Sequence, residues 1–108
     1  MIYELRVYYC VPGKLPVVLA RFEEHVLKFW EKHGIRQAGF FTTIIGEHSQ
    51  QLTYLLAWES MAEREKKWTA FSTNPEWLAL RAETEKGVPW VERVANQFLA
   101  PTSFSVVK

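Results

Sequence analysis

The chain has a single cysteine, Cys10, so no disulfide can close within it, and a reducing compartment is the setting that suits it. An excess of charge of either sign is missing too. Thirteen basic and twelve acidic residues leave a formal charge of +1, and they are interspersed along the sequence, which argues against a nucleic-acid or anionic-membrane partner. No apolar run approaches the ~18 residues of a membrane span, and MIYELRVYY places no basic segment ahead of an apolar one, so a cytoplasmic protein without a membrane span is expected. Glycine and proline number five each and sit at breaks between periodic segments, with no linker or low-complexity stretch. One domain over residues 1–108 follows. HExxH, CxxC, a serine nucleophile elbow, a phosphate-cradling glycine loop and a dinucleotide fingerprint are all missing, so neither a metal nor a cofactor is implied.

What the chain does have is rings. Fifteen per cent of its 108 residues are aromatic, five of them Trp, which is more ring surface than so short a chain usually buries alone. The best-specified stretch is LTYLLAWESMAEREKKWTAF, an apolar strand over Leu52–Trp58 running straight into a helix. There Ser60 serves as N-cap and Glu63, three positions on, completes a capping box. Upstream, Ile2–Cys10 reads as a strand with Tyr3, Leu5, Val7 and Tyr9 on one side and Glu4, Arg6, Tyr8 and Cys10 on the other.

Pro12-Gly13 breaks that strand and Pro16 suits the first turn of a helix. Leu15, Val18, Leu19, Phe22, Val26, Phe29 and Trp30 form the apolar stripe of that helix, Glu24 and Lys28 pair on its wet side, and Gly34 stops it. A second strand is expected over Gln37–Ile45, then a polar hairpin connection, strand three, and a helix from about Met61 to Phe71 with Met61, Trp68 and Phe71 inward. Asn74 and Pro75 cap a short further helix, and Val91–Leu99 is strand four. The order is that of an α+β, ferredoxin-like βαββαβ domain, an antiparallel sheet with its helices on one face.

The second sheet face should be polar if water met it. Yet Phe40-Phe41, Ile44-Ile45 and Leu55-Leu56 put large apolar residues on both faces, so a lid is needed. An isologous homodimer packing sheet on sheet supplies one.

Several segments together resemble the NIPSNAP family: MIYELRVYYCVPGKLP, RFEEHVLKFWEKHG, GFFTTIIGE, WESMAEREKKW with NPEW, and the closing QFLAPTSFS. The likeness is colinear over nearly the whole chain, with Ala100 where a basic residue is common. It implies a dimeric α+β barrel and leaves the biochemical role undefined. Fold relatives include cofactor-free monooxygenases, haem-degrading enzymes and lactone isomerases, which are analogies of fold.

Glu4, Arg6 and Tyr8 share a strand face expected to line the interior between the sheets, where a carboxylate, a guanidinium and a phenol could orient a planar polar ligand. In the alternative reading Glu4 and Arg6 simply pair. Tyr54 and Trp58 form ring-lined walls of a cavity or else dimer core. His25, at the edge of the helix stripe, is a haem ligand, a base or a packed helix residue. The ligand-binding candidates are therefore Arg6, Tyr8, Tyr54, Trp58 and His25. Three functions fit: a module binding a small aromatic or apolar ligand between sheet and helices, a cofactor-independent monooxygenase or isomerase, and a haem-binding or haem-degrading protein.

Overall fold

The computed structural model describes residues 1–108. Its strands are β1 (Ile2–Cys10), β2 (Arg36–Thr42), β3 (Gln51–Trp58) and β4 (Val91–Leu99), paired antiparallel in the order β2-β3-β1-β4. One helical rod follows β1: α1 (Leu15–Arg21) passes through a π-helical turn (Phe22–Val26) into α2 (Leu27–His33). The remaining helices, α3 (Met61–Ser72) and α4 (Pro75–Glu85), lie between β3 and β4. This is the ferredoxin-like α+β arrangement, with the inner strand β1 beside the edge strand β4.

The punctuation acts as its chemistry dictates. Ser60 Oγ accepts the Glu63 N–H at 3.1 Å, and the Glu63 carboxylate accepts the Glu59 N–H at 3.0 Å, so two donors at the start of α3 are satisfied reciprocally. Asn74 Oδ1 accepts the Glu76 and Trp77 N–H groups at 2.8 and 3.4 Å at the start of α4. Gly34 ends α2 in the left-handed conformation (φ 72°), which a side chain would strain.

Four expectations need correction. Strand β2 ends at Thr42, and Ile44 and Ile45 lie beyond it, each 95% exposed. The β2–β3 pairing stops at Thr42↔Leu52, one residue from the start of β3, so no partner backbone is left for Ile44 and Ile45. Met61 does not turn inward; as the first residue of α3 it has no preceding helical turn to cover it and is half exposed. Glu24 makes no pair with Lys28 and instead lies 4.0 Å from His25, because the π turn widens the spacing on which a four-residue pair depends. Lastly, the Glu4, Arg6 and Tyr8 face of β1 does not look toward a second sheet. It packs under the helices, with Tyr8 against Phe22 at 5.7 Å and Arg6 against Trp68 at 4.3 Å between guanidinium carbon and ring centre.

The core is therefore the helix side of the sheet. Trp30, Tyr54, Trp58, Leu52 and Leu56 are its largest fully buried apolar side chains. Tyr54 stacks on Phe40 at 4.8 Å and stands edge-on to Phe22 at 5.5 Å, while Trp30 meets Phe22, Phe40 and Phe71 within 6.2 Å. Each such ring pair adds about 0.5–1.5 kcal/mol beyond the area it buries. The helices cover β1 and β3 but leave β4 open along nearly its whole length. On the opposite sheet face, Phe41 is 57% exposed beside half-buried Leu5, Val7 and Leu55.

Candidate functional site

Two polar constructions are set into this aromatic core. The first is centred on Glu4, which is fully buried. Its Oε1 accepts from Trp58 Nε1 at 3.1 Å and Arg64 Nε at 3.1 Å, and its Oε2 accepts from Arg6 Nη1 at 2.9 Å, Arg64 Nη2 at 3.0 Å and Asn96 Nδ2 at 2.9 Å. Burial pushes the Glu4 carboxyl upward, but the bonds from Arg64, Asn96 and Arg6 outweigh it and hold the group below its ordinary value. Arg6 Nε donates to the Tyr54 hydroxyl at 2.8 Å, and burial pushes that phenol well above its ordinary value. Every acceptor site of the carboxylate is engaged, so this cluster joins β1, β3, β4 and α3 and leaves Glu4 no free lone pair for proton transfer.

The second construction is a cavity of about 350 Å³ between the helices and the β1–β4 side of the sheet. Tyr8, Phe22, Trp30, Phe71 and Trp77 supply rings, Val26, Val91 and Val94 supply aliphatic walls, and Arg21, Arg81, Glu85, Glu92 and Arg93 supply charge. Phe22 and Val26 are the first and last residues of the π turn, a feature frequent at functional sites. Arg21, itself buried, ends α1 and reaches α4: Nη1 donates to Glu85 Oε2 at 2.7 Å and to Thr84 Oγ1 at 3.3 Å. Its guanidinium carbon lies 4.5 Å from the Trp90 ring centre and 5.4 Å from that of Trp77. Nε is buried without an acceptor, and Nη2 makes no hydrogen bond within the chain while remaining reachable.

The five residues singled out from sequence are thus divided. Arg6, Tyr54 and Trp58 belong to the Glu4 cluster, and Tyr8 bridges it to the cavity, which it lines. His25 is apart from both, on the π turn with its side chain 43% exposed and 4.0 Å from Glu24. The reading from sequence missed Arg21 and Glu85 as a site. A signal for Arg21 was present: it sits three residues after Val18 and directly before Phe22, inside the apolar stripe of a helix, where a charge is buried only with a partner. Cys10 carries no comparable promise, since burial pushes its thiol up, away from the reactive thiolate.

A ferredoxin-like antiparallel sheet with its helices on one face defines a class of small α+β domains. Within that class this chain belongs to the NIPSNAP family, whose model matches residues 3–106. A NIPSNAP domain protein from Burkholderia xenovorans is 25% identical, with a TM-score of 0.82 over 97% of this chain and 98% of that one. A NIPSNAP family protein of unknown function from Agrobacterium tumefaciens is 23% identical, with a TM-score of 0.86 over 100% and 94%. The fold extends further, to an antibiotic biosynthesis monooxygenase at 10% identity and a TM-score of 0.60 over 94% of this chain and 99% of that one. Among curated proteins none matches.

Proposed function

We propose that this protein is a cytoplasmic homodimer that binds a small aromatic or apolar ligand in the cavity between its helices and its sheet. The observation that carries the reading is the cavity itself: about 350 Å³, within the ~300–1,000 Å³ of small-molecule sites, walled by rings and reached by a few polar groups. Of the five candidates, Tyr8 is the one that would touch the ligand, with Arg6, Tyr54 and Trp58 holding the floor beneath it. His25 does not line the cavity and takes no part in this reading. Pairing of two copies is supported by apolar residues on the uncovered sheet face and by the open length of β4. A single buried thiol suits a reducing compartment.

The test is binding of N-phenyl-1-naphthylamine, an uncharged apolar fluorophore, to the whole protein, with oligomeric state read in parallel by sedimentation equilibrium. Fluorescence enhancement in the wild type and its loss in Val94→Trp, which fills the cavity from β4, is the expected pair of results. No enhancement, or equal enhancement in Val94→Trp, overturns the site. Oxygen uptake on adding an aromatic polyketide would replace a binding module with an oxygenase.

A further inference from the structure

We propose that the cavity takes planar aromatic ligands bearing an uncharged carbonyl oxygen, and that Arg21 selects that group. The inference rests on the cavity reading above and adds to it the chemistry of the polar end. Arg21 is buried, lies against the rings of Trp77 and Trp90, and is tied through Nη1 to Glu85 and Thr84. That leaves the guanidinium with N–H groups unused, at the reachable Nη2 and at the buried Nε. The reachable Nη2 is the donor that a ligand oxygen can engage, and a hydrogen bond from a charged donor is stronger than one between neutral groups.

The oxygen must be uncharged for a second reason. The charge of Arg21 is already countered by Glu85 Oε2 at 2.7 Å, so what the pair offers a ligand is a hydrogen-bond donor and almost no net charge. A carboxylate entering here would lose its hydration and meet Glu85 at nearly the range at which it meets Arg21. Arg81, Glu92 and Arg93, also on the lining, are exposed, and solvent screens any preference they would express. A ketone or aldehyde oxygen accepts the Nη2 hydrogen bond with far less desolvation, while its ring system packs on Tyr8, Phe22 and Trp77.

Three probes of one shape separate these effects: 2-acetylnaphthalene, 2-isopropenylnaphthalene, which replaces the oxygen by a methylene, and 2-naphthoate. Calorimetry on the full chain should give the ketone an advantage of about tenfold over both others. In Arg21→Lys the single ammonium stays on Glu85 and the extra nitrogens are gone, so the ketone should bind no better than the alkene, with naphthoate still the weakest. In Glu85→Gln the guanidinium is uncompensated and naphthoate should overtake the ketone, a reversal that a merely structural Arg21 would not produce. Circular dichroism and melting of each variant confirm that it is folded. Equal binding of the three probes by the wild type, or a preference for the ketone over the alkene that survives in Arg21→Lys, overturns the proposal while leaving the cavity reading in place. Failure of all three probes and of N-phenyl-1-naphthylamine overturns both.

Discussion

Asn96, on the edge strand β4, donates its side-chain N–H to Glu4 Oε2 across 2.9 Å. The strand that the helices leave uncovered is thereby fastened to the most buried charge in the molecule.

Removing that charge should be far worse than removing the amide. Glu4→Gln leaves Arg6 and Arg64 without their counter-ion and should cost about 3 kcal/mol or more in urea unfolding. Asn96→Ala deletes one of several donors to a satisfied carboxylate and should cost about 1 kcal/mol. Equal losses in the two variants would mean that the cluster is not centred on Glu4.

The same carboxylate sets an acid limit. Burial works to raise its pKa, but the Arg64, Asn96 and Arg6 bonds prevail and lower it from 4.5. A group depressed in the fold contributes fully above its unfolded pKa and loses that contribution as pH falls through the folded value. The urea midpoint should therefore hold steady from neutral pH down to about 5 and then decline. Glu4→Gln should show a shallower acid decline than the wild type, and an identical slope would assign the limb to other carboxylates.

The cap at α4 is a cleaner local test. Asn74→Ala leaves the Glu76 and Trp77 N–H groups without their acceptor and also frees His33 Nε2, now 3.0 Å from Asn74 Nδ2. A loss of about 1 kcal/mol is expected, with Asn74→Asp retaining the cap. The measurement is thermal melting of both variants beside the wild type.

Phe41 tests the second sheet face. It is 57% exposed in the single chain, so in a monomer Phe41→Glu should shift stability by no more than ~0.5 kcal/mol. In a sheet-on-sheet dimer it would bury two carboxylates. Sedimentation equilibrium should then show dissociation, and a melting temperature that no longer depends on protein concentration.

Much of this was legible along the chain because it depends on near neighbours. Ser60 with Glu63, Asn74 with Pro75, and Gly34 after a basic turn act within one helical turn, so the ends of α2, α3 and α4 follow from residue chemistry alone. The Glu4–Arg6 pair was legible for the same reason, since alternate residues of a strand share a face. The π turn was not legible, because the apolar stripe survives the insertion and only the lost Glu24–Lys28 pair betrays it.

By itself the sequence determined the order of strands and helices, their caps and the family, all of which rest on periodicity and on contacts a few residues apart. Tertiary structure alone decided which face of β1 the helices cover, and that β4 would be left open. It also brought Arg64 and Asn96 to Glu4 from 60 and 92 positions away, and Glu85 to Arg21 from 64. The physical reason is that a buried charge needs a partner but does not specify where along the chain that partner lies. Packing of the two layers makes that choice, and it is this choice that shapes the cavity and leaves the buried Arg21 with an unpaired N–H at its edge.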